Sequence, residues 1–397
     1  MKVLVVSLYY YPEFGAASSR ITNMAEGLHK QGAEVDVLTC LPNYPKGRIF
    51  DGYRGRYSKK ENINGIDVYQ YWTYASTSKN PFLRILGMCA FGLTLWSFAF
   101  KRKKIKSYDR VIIQTPPLIV AFSAVLLFKC LFKKKVVLNI SDLWPLSAVE
   151  LGAVKKGSFM YKLMAWMEKF IYKHSVAIQG QSKEIVRHVD TFEASKSKFL
   201  YRNLQHDINV PIPHIERKPF KIVYAGLLGV AQDILGLVEK IDFKSMGAEF
   251  HIFGGGNQAK KIESYLKEHE TGAVYHGFLD KKDMVKELVN YHASIVPLAV
   301  RIKGAVPSKI FDLLPVGVPI LFCGGGEGAE IVKEYQIGLV SNPGDLDALK
   351  ANIQSMIDMS DKEYDVLKSN CLSASKTDFS FGEQMKKYYD FLVSLDY

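Results

Sequence analysis

Lys309 and Asp312 stand one helical turn apart in Pro307-Ser308-Lys309-Ile310-Phe311-Asp312. The ammonium suits a phosphate, and the carboxylate suits the hydroxyls of a sugar. Pro307 fits the first turn of a helix, and Ser308 is placed to cap its free N–H groups. Ile310, Phe311, Leu313 and Leu314 give that helix an apolar face. Pro315 and Gly317 stop it, and Val318-Pro319-Ile320-Leu321-Phe322 reads as a strand buried on both faces. Gly324-Gly325-Gly326 then lets backbone N–H groups approach an anion, and Glu327 opens a further helix. Two helix starts, at Ser308 and near Gly326, are expected to converge on one phosphorylated ligand.

A second carboxylate, Asp142, follows the strand Val136–Ile140 in Ser141-Asp142-Leu143-Trp144-Pro145. Strand ends of open parallel sheets face the ligand crevice, so Asp142 is a candidate proton acceptor; capping a helix is its alternative role. Three further strand ends carry glycines: Gly226 and Gly229, with Gln232 beyond them; Gly254 and Gly255; and Gly277, preceded by His276. His276 reads equally as a nucleobase contact and as a hydrogen-bonded structural histidine. Asp345-Leu346-Asp347 is the one D-x-D, and its place after Pro343-Gly344 favours helix capping over metal binding. No metal or other cofactor is expected.

The elements that hold these residues alternate strand and helix. Lys2–Ser7, the helix Arg20–Gln31 and Glu34–Thr39 form a βαβ opening without G-x-G-x-x-G; its loop is Tyr9-Tyr10-Tyr11-Pro12-Glu13-Phe14-Gly15-Ala16. Gly15 permits close approach, and Ala16 keeps the helix start open. Residues 42–80, rich in Tyr, Gly, Arg and Lys, read as a long excursion. The pattern restarts at Phe220 after a proline-bearing stretch, Asn203 to Pro219. That gives domains 1–203 and 204–379, with a last helix in 380–397.

The composition is globular, and five scattered cysteines without CxxC suggest free thiols in a reducing compartment. Residues 1–200 hold 30 Lys+Arg against 14 Asp+Glu, a net +16 within a total of +12. Such a basic half points to an anionic partner. Ile85–Phe100 is an uncharged run of 16 residues followed by Lys101-Arg102-Lys103-Lys104. It is short for a spanning helix and reads as a helix docked on an anionic membrane surface; a buried crossover helix is the alternative. Leu118–Phe132 and Phe159–Tyr172 extend that surface. No nucleic-acid motif accompanies the charge, and no nucleic-acid partner is expected.

The Pro-Ser-Lys start, the acidic Asp312, the Gly317-Val318-Pro319 turn and Asp142-Leu143-Trp144-Pro145 together resemble GT-B glycosyltransferases of family 4. The likeness is strongest to the branch that builds O-antigen and capsule repeat units, including N-acetylfucosamine transferases. It implies an α/β protein of two Rossmann-like doubly wound domains facing a central cleft, with a C-terminal helix crossing back to the first. It also implies retention of anomeric configuration. Asp312 would take the ribose, Lys309 the diphosphate of the leaving nucleotide, and the Gly254 and His276 strand ends the base. Gly15 and Ala16 would lie under the donor, with Tyr11, Arg20 and Trp144 on the acceptor side. A UDP-sugar is favoured as donor, with a GDP-sugar the alternative. The acceptor would be a polyprenyl-diphosphate-linked saccharide, met at the cytoplasmic face of the membrane. Two departures stand out. Gly304 occupies the place of the family's other acidic residue, and Gln232-Asp233 replaces its usual basic pair. They give some weight to the alternative reading, a membrane-associated nucleotide-binding pseudoenzyme or scaffold.

Overall fold

A computed structural model describes residues 1–76, 78, 80–150, 152–206 and 210–395. The chain divides into two units, Met1–Asn203 with Gly382–Tyr397, and Leu204–Phe381. Residues 207–209 of the expected linker lie outside the described residues.

In the first unit the strands are β1 (Lys2–Val6), β2 (Glu34–Cys40), β3 (Ser58–Ile63), β4 (Ile66–Tyr71), β5 (Arg110–Thr115), β6 (Lys135–Ile140), β7 (Ala177–Gly180) and β8 (Ser197–Leu200). They form one sheet in the order β3-β4-β2-β1-β5-β6-β7-β8, parallel except for β3. Val3–Val6, Val111–Ile113 and Val136–Leu138 are unbroken apolar runs and are fully buried. Helices cover both faces of such central strands, so no polar alternation survives in them. The edge strand β3, Ser-Lys-Lys-Glu-Asn-Ile, falls inside the expected excursion. Its polar composition hides it, and pairing with β4 makes it a strand.

The second unit holds β9 (Phe220–Ala225), β10 (Ala248–Phe253), β11 (Ala273–Gly277), β12 (Ala293–Pro297), β13 (Ile320–Cys323) and β14 (Gly338–Ser341), all parallel in the order β11-β10-β9-β12-β13-β14. Its apolar core runs from Phe220, Ile222 and Tyr224 to Ile295 and Leu321. The last helix, Phe381–Ser394, packs on the first unit. Tyr388 meets Phe199 and Tyr201 at centroid distances of 5.1 and 5.2 Å. Gln384 exchanges hydrogen bonds with the Arg202 backbone at 2.8 and 3.0 Å.

Ile85–Phe100 is not one helix. An α-helix spans Pro81–Thr94, a 3-10 turn follows at Leu95–Phe100, and Arg102–Ser107 starts again. Phe91, Leu95 and Phe98 are fully buried, while Phe82, Leu93 and Phe100 lie open. The segment is therefore half core and half surface. The Leu118–Val125 helix packs against both Pro81–Thr94 and Phe159–His174, which makes the three one layer. Lys104 does not share the outward charge: it pairs with Asp36 at 2.9 Å and lies 3.7 Å from Asp67. Among the described residues no helix is long and apolar enough to cross a membrane.

Candidate active site

In the second unit the loops after β9, β10 and β11 interlock through their backbones. Gly226 N–H donates to Phe253 O at 2.9 Å, Leu228 N–H to Gly255 O at 2.9 Å, and Gly254 N–H to Gly277 O at 2.7 Å. Gly254 has φ +143°, and a Cβ there would run into the Gly226 carbonyl, so only glycine lets the two loops touch. Gly226 has φ +151°, and the end of the Lys309 side chain lies in the space that a Cβ there would take.

Lys309 begins the short helix Lys309–Leu313, on which Asp312 follows one turn later. Its Nζ lies 3.4 Å from the Tyr224 hydroxyl and 4.9 Å from the centre of that ring. Desolvation lowers the ammonium pKa from 10.5 to about 8, against a smaller pull from Asp312. Desolvation also raises the Asp312 pKa, opposed by Lys281 and Lys309. Asp312 Oδ1 is buried and has no hydrogen-bond partner among the described residues. A cation losing its solvation beside an unsatisfied carboxylate oxygen is an arrangement that a phosphate and a hydroxyl would complete. Ser308 departs from expectation: its side chain caps nothing, because its backbone is already helical (φ −61°, ψ −19°). Gly326, at φ +70°, precedes the helix Glu327–Glu334, and the Glu327 side chain is buried. What that turn offers a ligand is backbone N–H.

Gln232 has its Oε1 buried and without a hydrogen-bond partner among the described residues. His276 lies at the sheet edge, stacked on Phe253 at 4.5 Å and hydrogen-bonded to His251 at 2.9 Å. Desolvation and the His251 charge lower its pKa. Asp345 accepts from Ala348 N–H at 3.0 Å and so acts as the cap of Leu346–Asp358.

In the first unit, Asp142 sits beyond β6. Desolvation raises its pKa from 3.8 to about 6, while Arg20 and a hydrogen bond from Ser141 pull it down. Arg20 was expected on the acceptor side; instead it is 2% exposed. It donates to Asn139 Oδ1 at 2.7 Å and Gln181 Oε1 at 3.1 Å, and it stacks over Tyr201 at 5.1 Å. Asn139 donates to Gln114 Oε1, and Gln114 donates to Ser141 Oγ at 2.9 Å. Gln181 also donates to the Ser141 carbonyl. Arg20 thus reaches Asp142 through its charge and through a buried amide network beneath it. Gln114, Asn139 and Gln181 were missed from the sequence; a polar residue at the end of an apolar strand was the signal available. Trp144 packs against the core, whereas Tyr11 is exposed, its N–H donating to Thr22 Oγ1 at 3.3 Å. Ala16 starts the first helix and Gly15 precedes it at φ +123°, under the Tyr44 ring. Glu13 was also missed. It is 6% exposed, its Oε1 accepts from Asn43 N–H (2.7 Å) and Tyr44 N–H (2.9 Å), and burial lifts its pKa to about 7.

Two parallel α/β units, each with polar groups or glycines at the carboxyl ends of its strands, define a two-domain Rossmann-like architecture in which strand ends bind ligands. Residues 15–200 match the family model described as Glycosyl transferase 4-like domain, and residues 219–359 that of Glycosyl transferases group 1. The chain belongs to the family 4 glycosyltransferases. It is 24% identical over 338 residues to WcaI of Escherichia coli (strain K12), a glycosyl transferase named for colanic acid biosynthesis, covering 80% of this chain and 82% of that one. Its fold is shared with sucrose-phosphate synthase from Thermosynechococcus elongatus (TM-score 0.73, 13% identity, 99% of each chain). It is also shared with Anabaena Alr3699/HepE, solved with UDP and glucose (TM-score 0.68, 11% identity, 99% of this chain and 100% of that one). WaaG, a glycosyltransferase involved in lipopolysaccharide biosynthesis, matches at TM-score 0.62 with 11% identity, over 98% and 99% of the two chains.

Proposed function

We propose that this glycosyltransferase moves a sugar, an N-acetylated hexosamine or deoxyhexosamine, from a UDP-sugar to a saccharide on a polyprenyl diphosphate, with retention, in bacterial surface polysaccharide synthesis. The observation that carries the donor half is Lys309 one helical turn before Asp312, both desolvated, with one Asp312 carboxylate oxygen buried and unsatisfied among the described residues. In this reading the ribose hydroxyls donate to Asp312. The diphosphate meets the Lys309 ammonium and the N–H groups at Gly326. As the sugar–phosphate bond breaks, negative charge grows on the diphosphate, and fixed donors there lower the barrier without reorganising. Asp142, ionised above pH 6, accepts the acceptor hydroxyl's proton. Resemblance to WcaI and to structures solved with UDP supports the choice of process and base.

The acceptor half rests on the apolar layer of the first unit. Phe82, Leu93, Phe100, Phe159 and Trp166 are exposed on its helices and turn, beside exposed Lys101, Arg102 and Lys103. Aromatic rings at the headgroup level with lysines on phosphates are what a peripheral protein presents to an anionic leaflet. That places the enzyme, in our reading, on the cytoplasmic face of the membrane. The test is donor hydrolysis: purified protein is incubated with UDP- and GDP-sugars, and nucleotide diphosphate release is followed. Slow release from a UDP-sugar is expected. Binding without release from any donor would favour a pseudoenzyme, and release from GDP-sugars alone would change the base.

A further inference from the structure

The 49–57 segment, with Leu41 after β2 and Trp72 after β4, lines an open cavity of about 450 Å³ that none of the roles above uses. Its walls include Ile49, Tyr53, Arg54, Arg56, Tyr57 and Trp72. Its size is that of a small-ligand site. Its composition is unusual for a plain surface dimple, since two arginines and three aromatic residues line it. Tyr57 and Trp72 are exposed, and Trp72 N–H donates to Tyr57 O at 2.8 Å, which holds the two residues side by side. Arg54 is set by a hydrogen bond from Nε to Ile49 O at 3.1 Å, and it pairs with solvent-exposed Asp51 at 3.4 Å. Arg56 has no ion-pair partner among the described residues. One arginine paired only with an exposed aspartate, and one without an ion-pair partner among the described residues, therefore line a concavity together with three aromatic residues.

The cavity adjoins the membrane-type surface through hydrogen bonds. The Tyr57 and Ser97 hydroxyls are 2.6 Å apart, and Thr94 Oγ1 donates to Trp72 O at 2.7 Å. Ser97 lies in the 3-10 turn that ends at Phe100, which is 90% exposed. A ligand held here would have its polar end between the arginines and an apolar tail within reach of that turn.

We propose that this cavity binds the diphosphate and first sugar of a prenyl-diphosphate-linked saccharide; the proposal rests on the lipid-linked acceptor reading above. Arginine forks take phosphate oxygens two at a time, and ring faces take the apolar side of a pyranose. The same phosphate chemistry could come from free diphosphate or from lipid headgroups, so each is a separate arm of the test.

Isothermal titration of the full chain uses geranyl-diphosphate-N-acetylglucosamine, inorganic diphosphate and phosphatidylglycerol vesicles as probes, on wild type, Arg54→Gln/Arg56→Gln and Trp72→Ala. The double variant should bind the prenyl-diphosphate sugar at least tenfold more weakly, and Trp72→Ala several-fold more weakly. UDP affinity should hold in both, and a thermal melt and circular dichroism spectrum matching wild type certify that the first unit folds. Inorganic diphosphate should bind far more weakly than the prenyl-linked sugar, and vesicle binding should not change. Unchanged affinity in both variants overturns the site and leaves the transferase reading intact. A loss confined to vesicles or to inorganic diphosphate also overturns it, making the arginines a headgroup or free-anion patch. Failure of wild type to bind the prenyl-diphosphate sugar sinks the lipid-linked acceptor and this site together, while donor hydrolysis would still stand.

Discussion

Replacing Lys309 by Met should make the protein more stable and worse at holding its nucleotide. The side chain's pKa falls from 10.5 to about 8 on burial. A fall of that size corresponds to about 3 kcal/mol against the charged form. The sign follows from proton counting: the unfolded chain binds the proton more tightly between pH 8 and 10.5, so stability rises with pH across that window. Below pH 8 the full penalty is present, and Met, of similar length and uncharged, removes it. The unliganded variant should therefore gain up to about 3 kcal/mol at pH 7, an upper bound because Lys309 keeps some contact with solvent. UDP binding should move the other way, losing roughly 1.5–3 kcal/mol with the charge-assisted contact. In wild type, if the ammonium is the binding form, UDP affinity should fall roughly 25-fold from pH 7.5 to 9.5, a range above the phosphate's own titration near 6. The variant should show a flat profile. Thermal melts with and without UDP, and titration calorimetry at the two pH values, read all of this. A wild-type affinity that does not change with pH, or a variant that binds UDP as well as wild type, would refute the placement of Lys309 on the diphosphate.

Asp142→Asn should keep UDP affinity and lose the acid limb of kcat/KM, which in wild type should rise through about pH 6 as the carboxyl ionises; a variant with an unaltered profile removes Asp142 from the chemistry. Gly254→Ala should abolish nucleotide binding, because its methyl would displace the Gly226 carbonyl from the loop stack; UDP-induced stabilisation equal to wild type would show that the stack is dispensable. Changing Lys101, Arg102 and Lys103 to Gln should weaken flotation on anionic vesicles, at about 1 kcal/mol per charge and with less effect at high salt. Equal flotation of both proteins at every salt concentration would remove the basic tail from the surface.

Periodicity and turn chemistry made much of this protein legible. Short apolar runs bounded by turn signals, such as Val111–Ile113, read as central strands, and glycines after strands as close-approach loops, because each follows from local sterics and burial. Local reasoning also brought Lys309 and Asp312 to one side of a helix, since one turn of spacing suffices. It failed where the partner was distant in sequence. Ser58–Ile63 is a strand only because β4 pairs with it. Ile85–Phe100 breaks after Thr94 with Phe91, Leu95 and Phe98 packed inward, a division that its composition does not show. Lys104 reads as one more basic residue until Asp36 is found beside it. Arg20 looks like a ligand contact until Asn139 and Gln181, more than a hundred residues on, are seen to enclose it. Charge and polarity are properties of a residue, but desolvation is a property of its surroundings. The pKa of Lys309 and that of Asp142 were therefore decided by the tertiary structure alone.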